Sequence, residues 1–322
     1  MDKINNLINK NVGDIYLKEP LSKHSSWRIG GPADVLIEPY NIEQIIEIIQ
    51  YADLMNIPTA VIGNGTNLLF SDEGFRGIII KLGNNFSRYT IKGNRVCAEA
   101  GIWTPKFAKI LSDNGLSGLE HAIGIPGTLG GLIFMNGGSG GKCIGDIVKK
   151  IWVIDRNYNL ISFSQKECDF SYRKSVFQDS GYIICKIELE CEIGEKERIK
   201  SEMRNILNKR KDKFPLNYPN CGSVFLSNPV VNDTFAPPGK LIEEAGLKGY
   251  QIGGAQISEK HANFIVNLGN ATAKDVISIV QYIRKVVSQR YEICLESEVK
   301  YVGELGSLRS LHEVGITEKR RT

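Results

Sequence analysis

Apolar residues recur at helical spacing between Asn41 and Met55, at Ile42, Ile45, Ile46, Ile49 and Ala52, and Asn41 with Gln44 three residues on has the pattern of a capping box. Asn56-Ile-Pro58 ends that helix. The run Thr59-Ala-Val-Ile62 predicts a short buried strand leading into Gly63-Asn-Gly-Thr-Asn-Leu68, and Gly77-Ile-Ile-Ile-Lys-Leu82 predicts a second. After a strand-like Arg95-Val-Cys-Ala-Glu-Ala100, Thr104 as cap and Pro105 as first helical residue predict a helix closed by Gly115. Residues 151–193 alternate apolar and polar between turn signals, the pattern of an antiparallel meander. A long charged helix is predicted from 194 to Lys213, stopped by Phe214-Pro215. The last third predicts a short helix from Lys240 to Ala245, a strand from Asn263 to Asn267, and an amphipathic helix from Ala273 to about Arg290 capped by Thr272. A terminal strand is expected around Val299 to Val302. The chain therefore reads as α+β with a break near 194–200, divided into 1–197, 198–303 and a mobile tail over 304–322.

A length of 322 residues agrees with two domains, and 42% apolar with 24% charged residues is ordinary globular composition. Forty basic against thirty-six acidic side chains leave +4, too little to argue for nucleic acid or a membrane surface. The first ten residues lack the apolar stretch of a signal peptide and no window approaches a membrane span, so a cytoplasmic protein is expected. Seven cysteines, an odd number without a C-x-x-C pair, indicate neither a zinc site nor a disulfide framework; no metal is expected. Lys209, Arg210, Lys211 and Lys213 read as a solvated helix end rather than a binding patch.

Glycine changes the picture. The chain holds 33, about 10% against a usual ~7%. Nine of the twenty-two residues from Gly124 to Gly145 are glycine, which predicts a loop whose N–H groups converge on oxygen acceptors, packed by Ile125, Leu129, Leu132, Ile133, Phe134 and Met135. Gly141-Lys142 is no Walker loop, because Asn136 and Cys143 stand where glycine and a magnesium-binding hydroxyl are required. Gly63-Asn-Gly-Thr-Asn-Leu68 is no dinucleotide fingerprint, because Leu68 stands at the third glycine. Two glycine loops, each after apolar β-like sequence, suit an extended diphosphate-containing cofactor held by backbone amides.

Eight stretches in order over about residues 20–303 resemble the UDP-N-acetylenolpyruvoylglucosamine reductase family, in its shorter subtype without the tyrosine-loop insert. They are Trp27-Arg-Ile-Gly-Gly-Pro-Ala-Asp34, Gly63-Asn-Gly-Thr-Asn-Leu-Leu69, Gly124-Ile-Pro-Gly-Thr-Leu-Gly-Gly131 with Met135-Asn136, Ser171-Tyr-Arg-Lys-Ser175, Cys221-Gly-Ser-Val-Phe225, Gly239-Lys-Leu-Ile-Glu-Glu-Ala-Gly-Leu-Lys-Gly249, Ile252-Gly-Gly-Ala-Gln-Ile-Ser-Glu-Lys-His-Ala-Asn-Phe-Ile-Val-Asn267 and Leu295-Glu-Ser-Glu-Val-Lys300. The resemblance implies an N-terminal FAD-binding region of the vanillyl-alcohol oxidase/PCMH type, then a smaller α+β substrate domain. It implies FAD as cofactor, NADPH as co-substrate, and UDP-N-acetylglucosamine enolpyruvate as the substrate reduced on the way to peptidoglycan. A monomer is expected, with no nucleic-acid or membrane partner. The cofactor residues it implies are Gly63, Asn64, Gly65, Thr66, Asn67 and Leu68, then Gly124, Pro126, Gly127, Thr128, Gly131 and Asn136. A flavin oxidase of the same fold, or a non-catalytic protein that binds FAD or a UDP-sugar, are the alternatives.

Reduction of an enolpyruvyl ether needs cationic or donor groups where enolate charge develops on the carboxylate, and a proton donor across the alkene. By resemblance, Arg173 is the enolate-stabilising arginine, Ser223 the proton donor, and Glu298 the glutamate that helps polarise the carboxylate. His261 is expected in a packing or substrate-neighbouring role. The sequence departs from the family where Leu226-Ser-Asn-Pro229 lacks the usual lysine, whose place Lys240 or Lys260 could take. It departs again where Ser297 replaces a proline before Glu298.

Overall fold

The computed structural model describes Leu7, residues 10–227 and residues 236–315. Asn228 and Pro229, and the last residues of the expected tail, lie outside the described residues. The chain divides into two compact units: residues 1–16, 35–64 and 78–210, and residues 17–34, 65–77 and 211–322. Among the described residues no helix is long and apolar enough to cross a membrane.

In the first unit, helix α1 (Ile42–Leu54) buries Ile45, Ile48, Ile49, Tyr51 and Ala52. Asn41 Oδ1 accepts the Gln44 N–H at 2.9 Å, while Gln44 Oε1 accepts from Tyr40 N–H at 2.7 Å, one residue earlier than a capping box requires. Strands β1 (Asp14–Pro20), β2 (Pro32–Glu38), β3 (Thr59–Ile62) and β5 (Phe75–Lys81) form a sheet of order β1-β2-β5-β3, with Thr59 opposite Ile78 in the parallel β3–β5 pair. The predicted meander belongs to a five-stranded antiparallel sheet, whose central β13 (Ile183–Glu190) pairs with β7 (Arg95–Glu99) and β11 (Val148–Ile154). Its edges are β6 (Tyr89–Lys92) and β12 (Leu160–Ser164). Ile151, Val153, Ile187 and Leu189 alternate inward from these strands and are fully buried or nearly so, which is the period of two at work.

Two local expectations need correction here. Helix α2 (Thr104–Asp113) starts on Thr104, so Trp103 is the N-cap and Pro105 sits second. The glycine-dense segment holds a helix, α3 (Leu129–Phe134), capped by Thr128. Gly130 is there because tertiary approach demands a small residue: a Cβ on it would lie 2.8 Å from the Ala100 Cβ. Beyond α3, β9 (Gly138–Ser139) and β10 (Lys142–Cys143) form a hairpin turned by Gly140 and Gly141, at φ +64° and +81°.

The second unit centres on helix α6 (Ala273–Tyr291), whose Thr272 and Asp275 form a reciprocal capping box. A three-stranded sheet of β15 (Gln251–Ile252), β16 (Ala255–Ile257) and β17 (Ile265–Asn267) shares its core with α6. Two segments from the first quarter of the chain complete this unit. Trp27, fully buried, donates its indole N–H to Ile265 O at 2.7 Å, and Asp72 accepts the Ala273 and Lys274 N–H groups at 2.8 and 3.1 Å. Strand β18 (Lys300–Val302) lies parallel to β4 (Leu68–Phe70). The expected mobile tail is corrected as far as Gly315: β19 (Leu308–Ser310) pairs antiparallel with β18, and Leu311 is fully buried. An apolar anchor and a hairpin order residues that lie beyond the last recognised motif.

Candidate active site

The first unit carries Gly63, Asn64, the Gly124–Asn136 segment and Arg173. Gly63 follows β3 with its backbone against Thr128; a Cβ there would meet Thr128 Oγ1 at 2.3 Å. Thr128 Oγ1 accepts the Gly131 N–H at 3.3 Å, and the N–H groups of Leu129 and Gly130 donate to Ile102 O and Ala100 O at 2.9 and 2.8 Å. The start of α3 is thus already hydrogen-bonded, whereas among the described residues the N–H groups of Gly63, Asn64 and Gly65 have no backbone acceptor. Gly127 at φ +132° gives its carbonyl to Thr104 N–H at 2.9 Å, and Pro126 and Gly131 are exposed. Gly124 lies under Arg210, where a Cβ would be 2.2 Å from the arginine Cδ; burial lowers the pKa of that guanidinium.

Arg173 occupies a tight turn closed by reciprocal Ser171–Lys174 backbone bonds of 3.2 and 3.1 Å. Its φ of +55° is a conformation bulky residues rarely adopt, and the turn is pinned from outside. Gln178 Nε2 donates to Arg173 O at 2.9 Å and to Phe134 O at 3.0 Å. The half-buried guanidinium donates through Nη2 to Gly138 O at 3.0 Å and sits 5.1 Å from the Tyr172 ring centre. Asn136, 4% exposed, has both ends of its amide engaged: Nδ2 donates to Ser171 O at 2.9 Å and Oδ1 accepts Gly145 N–H at 3.1 Å. The side chain thereby ties α3, the Arg173 turn and the Gly145 loop together, while the Asn136 N–H donates to Ile133 O at 2.9 Å.

The second unit carries Gly65–Leu68, Ser223 and Glu298, and brings their backbones together. Phe225 pairs with Ser297 as an antiparallel bridge, and the Glu298 N–H donates to Val224 O at 2.8 Å. Asn67 Nδ2 donates to Glu298 O at 3.1 Å, and Asn67 O accepts the Lys300 N–H at 3.1 Å. Gly65 has φ +60°, and a Cβ there would fall 1.9 Å from His24 O. Ser223 and Glu298 are both half-buried. Ser223 follows Gly222, whose φ is +77° and whose N–H donates to Asn220 Oδ1 at 2.9 Å. Beneath this loop lies Cys221, its sulfur 3.2 Å from Ser26 Oγ and 3.4 Å from Leu68 O. Burial pushes that thiol up to about 12, a packing cysteine rather than a nucleophile.

Asn263 is a positioning residue to which the sequence pattern assigned no role. Its Nδ2 donates to Phe225 O and its Oδ1 accepts Phe225 N–H, both at 2.9 Å, while its own O accepts Val224 N–H at 2.9 Å. The available signal was an amide inside the apolar run Ala262-Asn-Phe-Ile-Val266. His261 packs against Phe214 and Phe264, with centroid distances of 5.3 and 5.0 Å, and burial followed by Lys213 lowers its pKa. Among the described residues there is no group of three or more His, Cys, Asp or Glu that could hold a metal ion.

The profile described as UDP-N-acetylenolpyruvoylglucosamine reductase, C-terminal domain, matches residues 214–302, and an FAD binding domain profile matches residues 33–163. The chain is 43% identical over 304 residues to the UDP-N-acetylenolpyruvoylglucosamine reductase of Caldanaerobacter subterraneus, covering 94% of this chain and 98% of that one. It is 42% identical to the enzyme of the same name from Clostridioides difficile, covering 90% and 94%. The crystal structure of UDP-N-acetylenolpyruvylglucosamine reductase from Thermus caldophilus superposes with a TM-score of 0.75 at 32% identity, over 89% of this chain and 98% of that one.

Proposed function

The chain belongs to the UDP-N-acetylenolpyruvoylglucosamine reductase family, and on that premise we propose that it reduces UDP-N-acetylglucosamine enolpyruvate to UDP-N-acetylmuramate with NADPH through FAD, in peptidoglycan precursor synthesis. The observation that carries the reading is the joining of Ser223 and Glu298 on hydrogen-bonded backbone segments, with Asn67 of the glycine loop bonded to Glu298 O. The segments that carry the proposed proton donor and carboxylate-polarising group are thereby joined by backbone bonds and by the Asn67 amide.

The residues present fit FAD. Among the described residues the peptide N–H groups of Gly63, Asn64 and Gly65 have no backbone acceptor, and Gly63 is too close to Thr128 for any side chain. These groups, with Thr66, Asn67 and Leu68, would hold the diphosphate; exposed Pro126 and Gly131 with half-buried Gly124 and Gly127 would line the cofactor. When bound, FAD supplies the hydride chemistry between NADPH and the alkene. The chain's own residues polarise, orient and protonate. Arg173, whose planar guanidinium can form two parallel bonds, would bind the substrate carboxylate and stabilise enolate charge as it develops. Glu298 would act on the same carboxylate. Ser223 would deliver a proton from Oγ to the carbon bearing that carboxylate, a transfer an ordinary hydroxyl can make only because the developing carbanion is a far stronger base. We also place the protein in the cytoplasm as a monomer, since both NADPH and a nucleotide sugar must reach it.

An absorbance spectrum tests the reading. Purified protein should show flavin bands that bleach with NADPH and return on adding the enolpyruvyl substrate under anaerobic conditions. A colourless protein that takes up no FAD refutes it; bands that return only with oxygen would instead favour an oxidase.

A further inference from the structure

Ser297, the residue that precedes Glu298, is 3% exposed and meets a histidine from beyond the family's last recognisable motif. Its backbone N–H donates to His312 Nδ1 at 2.9 Å. Its Oγ lies 3.0 Å from the same nitrogen and accepts the His312 N–H at 3.1 Å. A backbone N–H can only donate, so Nδ1 must be bare, and the ring carries its proton on Nε2. His312 is itself fixed. It stands on the one-turn helix Leu311–Glu313, whose Leu311 N–H donates to Val299 O at 3.0 Å and whose Glu313 accepts the Ser310 N–H at 3.1 Å. From α6, Arg284 donates to His312 O at 3.1 Å and to Leu295 O at 2.8 Å. The Glu298 backbone is therefore clasped between Val224 and Asn67 on its own account, and by His312 through its neighbour.

We propose that His312 is a positioning residue for Glu298, strapping its segment through Ser297 where a proline would otherwise stiffen it. This rests on the reading of Glu298 as a substrate-polarising group. The charged groups facing the ring are Arg284 from α6, Glu313 from its own turn, and Glu296 and Lys300 from the strapped segment. Burial first, then Arg284, lowers the His312 pKa. The folded value therefore lies below the unfolded value of about 6.5; the strap is complete above that pH, and its stabilisation is lost as pH falls through the folded value. Protonation puts a hydrogen on Nδ1, which then opposes the Ser297 N–H.

Two variants test the strap in the FAD-loaded protein. His312→Leu keeps the volume and removes the acceptor; His312→Asn can present an amide oxygen to the same N–H but does not titrate. In His312→Leu, reoxidation of reduced flavin by the enolpyruvyl substrate should slow about tenfold through misplacement of Glu298, with flavin reduction by NADPH within about twofold of the parent. Exchange of the Ser297 amide hydrogen should accelerate in the same variant. His312→Asn should restore both readouts and remove the acid limb that His312 contributes to the pH profile. Parent-like reoxidation and Ser297 exchange in His312→Leu would overturn the proposal, as would equal slowing of both half-reactions. If Glu298→Gln reoxidises at the parent rate, the reading of Glu298 itself falls and takes the positioning role with it. A slow Glu298→Gln beside a fast His312→Leu removes His312 alone.

Discussion

Replacing Asn136 by alanine removes the tie between three loops of the first unit. The two side-chain bonds, 2.9 Å to Ser171 O and 3.1 Å from Gly145 N–H, are not equal in consequence. Ser171 is exposed, so its carbonyl can turn to water, and losing that bond costs about 1 kcal/mol. Gly145 is buried, and stranding its N–H costs about 1–3 kcal/mol. Asn136 also sits at φ +40°, where asparagine is tolerated and alanine adds about 1 kcal/mol. The combined loss is near 4 kcal/mol, which at roughly 2–4 °C per kcal/mol for a unit of this size lowers Tm by about 10 °C. Scanning calorimetry of the FAD-loaded protein measures it. Asn136→Gly relieves the backbone but still strands Gly145, so it should recover only about 1 kcal/mol of the loss. Asn136→Ala within about 2 °C of the parent, or full recovery by Asn136→Gly, would refute the assignment of the stability to the buried amide.

Ser223→Ala should leave flavin reduction by NADPH nearly intact while reoxidation by substrate slows at least about a hundredfold, read by anaerobic stopped-flow; equal loss of both steps speaks against a proton donor. Arg173→Lys keeps the charge and loses the planar fork, so the same oxidative half-reaction should fall by roughly 10²-fold, and a change of under threefold would remove Arg173 from the developing charge. Gly63→Ala puts a methyl 2.3 Å from Thr128 Oγ1, so the loop must shift and FAD affinity should drop by more than about tenfold by fluorescence titration. Unchanged affinity would dissociate Gly63 from the cofactor. Thiol labelling at pH 8 should modify exposed Cys294 first and Cys168, Cys185, Cys191 and Cys221 only on unfolding, because burial pushes these four up to about 11–12; fast labelling of Cys221 contradicts the packing.

Much of the fold is written in consecutive residues. The helical spacing of Ile45, Ile49 and Ala52 specifies α1, Thr272 specifies the start of α6, and the alternation around Val153 and Ile187 specifies the meander. These signals need no knowledge of distant partners. The catalytic candidates come from resemblance instead: Ser-Tyr-Arg-Lys-Ser, Cys-Gly-Ser and Leu-Glu-Ser-Glu match the family's motifs in order, and the roles of Arg173, Ser223 and Glu298 are proposals that rest on that match. Glycine was legible as an excess but not as a conformation, since its density argued for a loop where Gly130 sits in a helix pressed on Ala100.

Tertiary structure alone decided the rest. No local pattern states that Trp27 will donate to Ile265, that Asp72 will cap α6, or that residues 17–34 and 65–77 will fold with 211–322. None states that a hairpin past Gly303 will bring His312 onto Ser297. Trp27 and Ser297 are buried, and a polar group desolvated in this way must find a partner with the right direction. Periodicity along the chain records which residues leave water, whereas the identity of the partner is set by where the whole chain places the complementary atom.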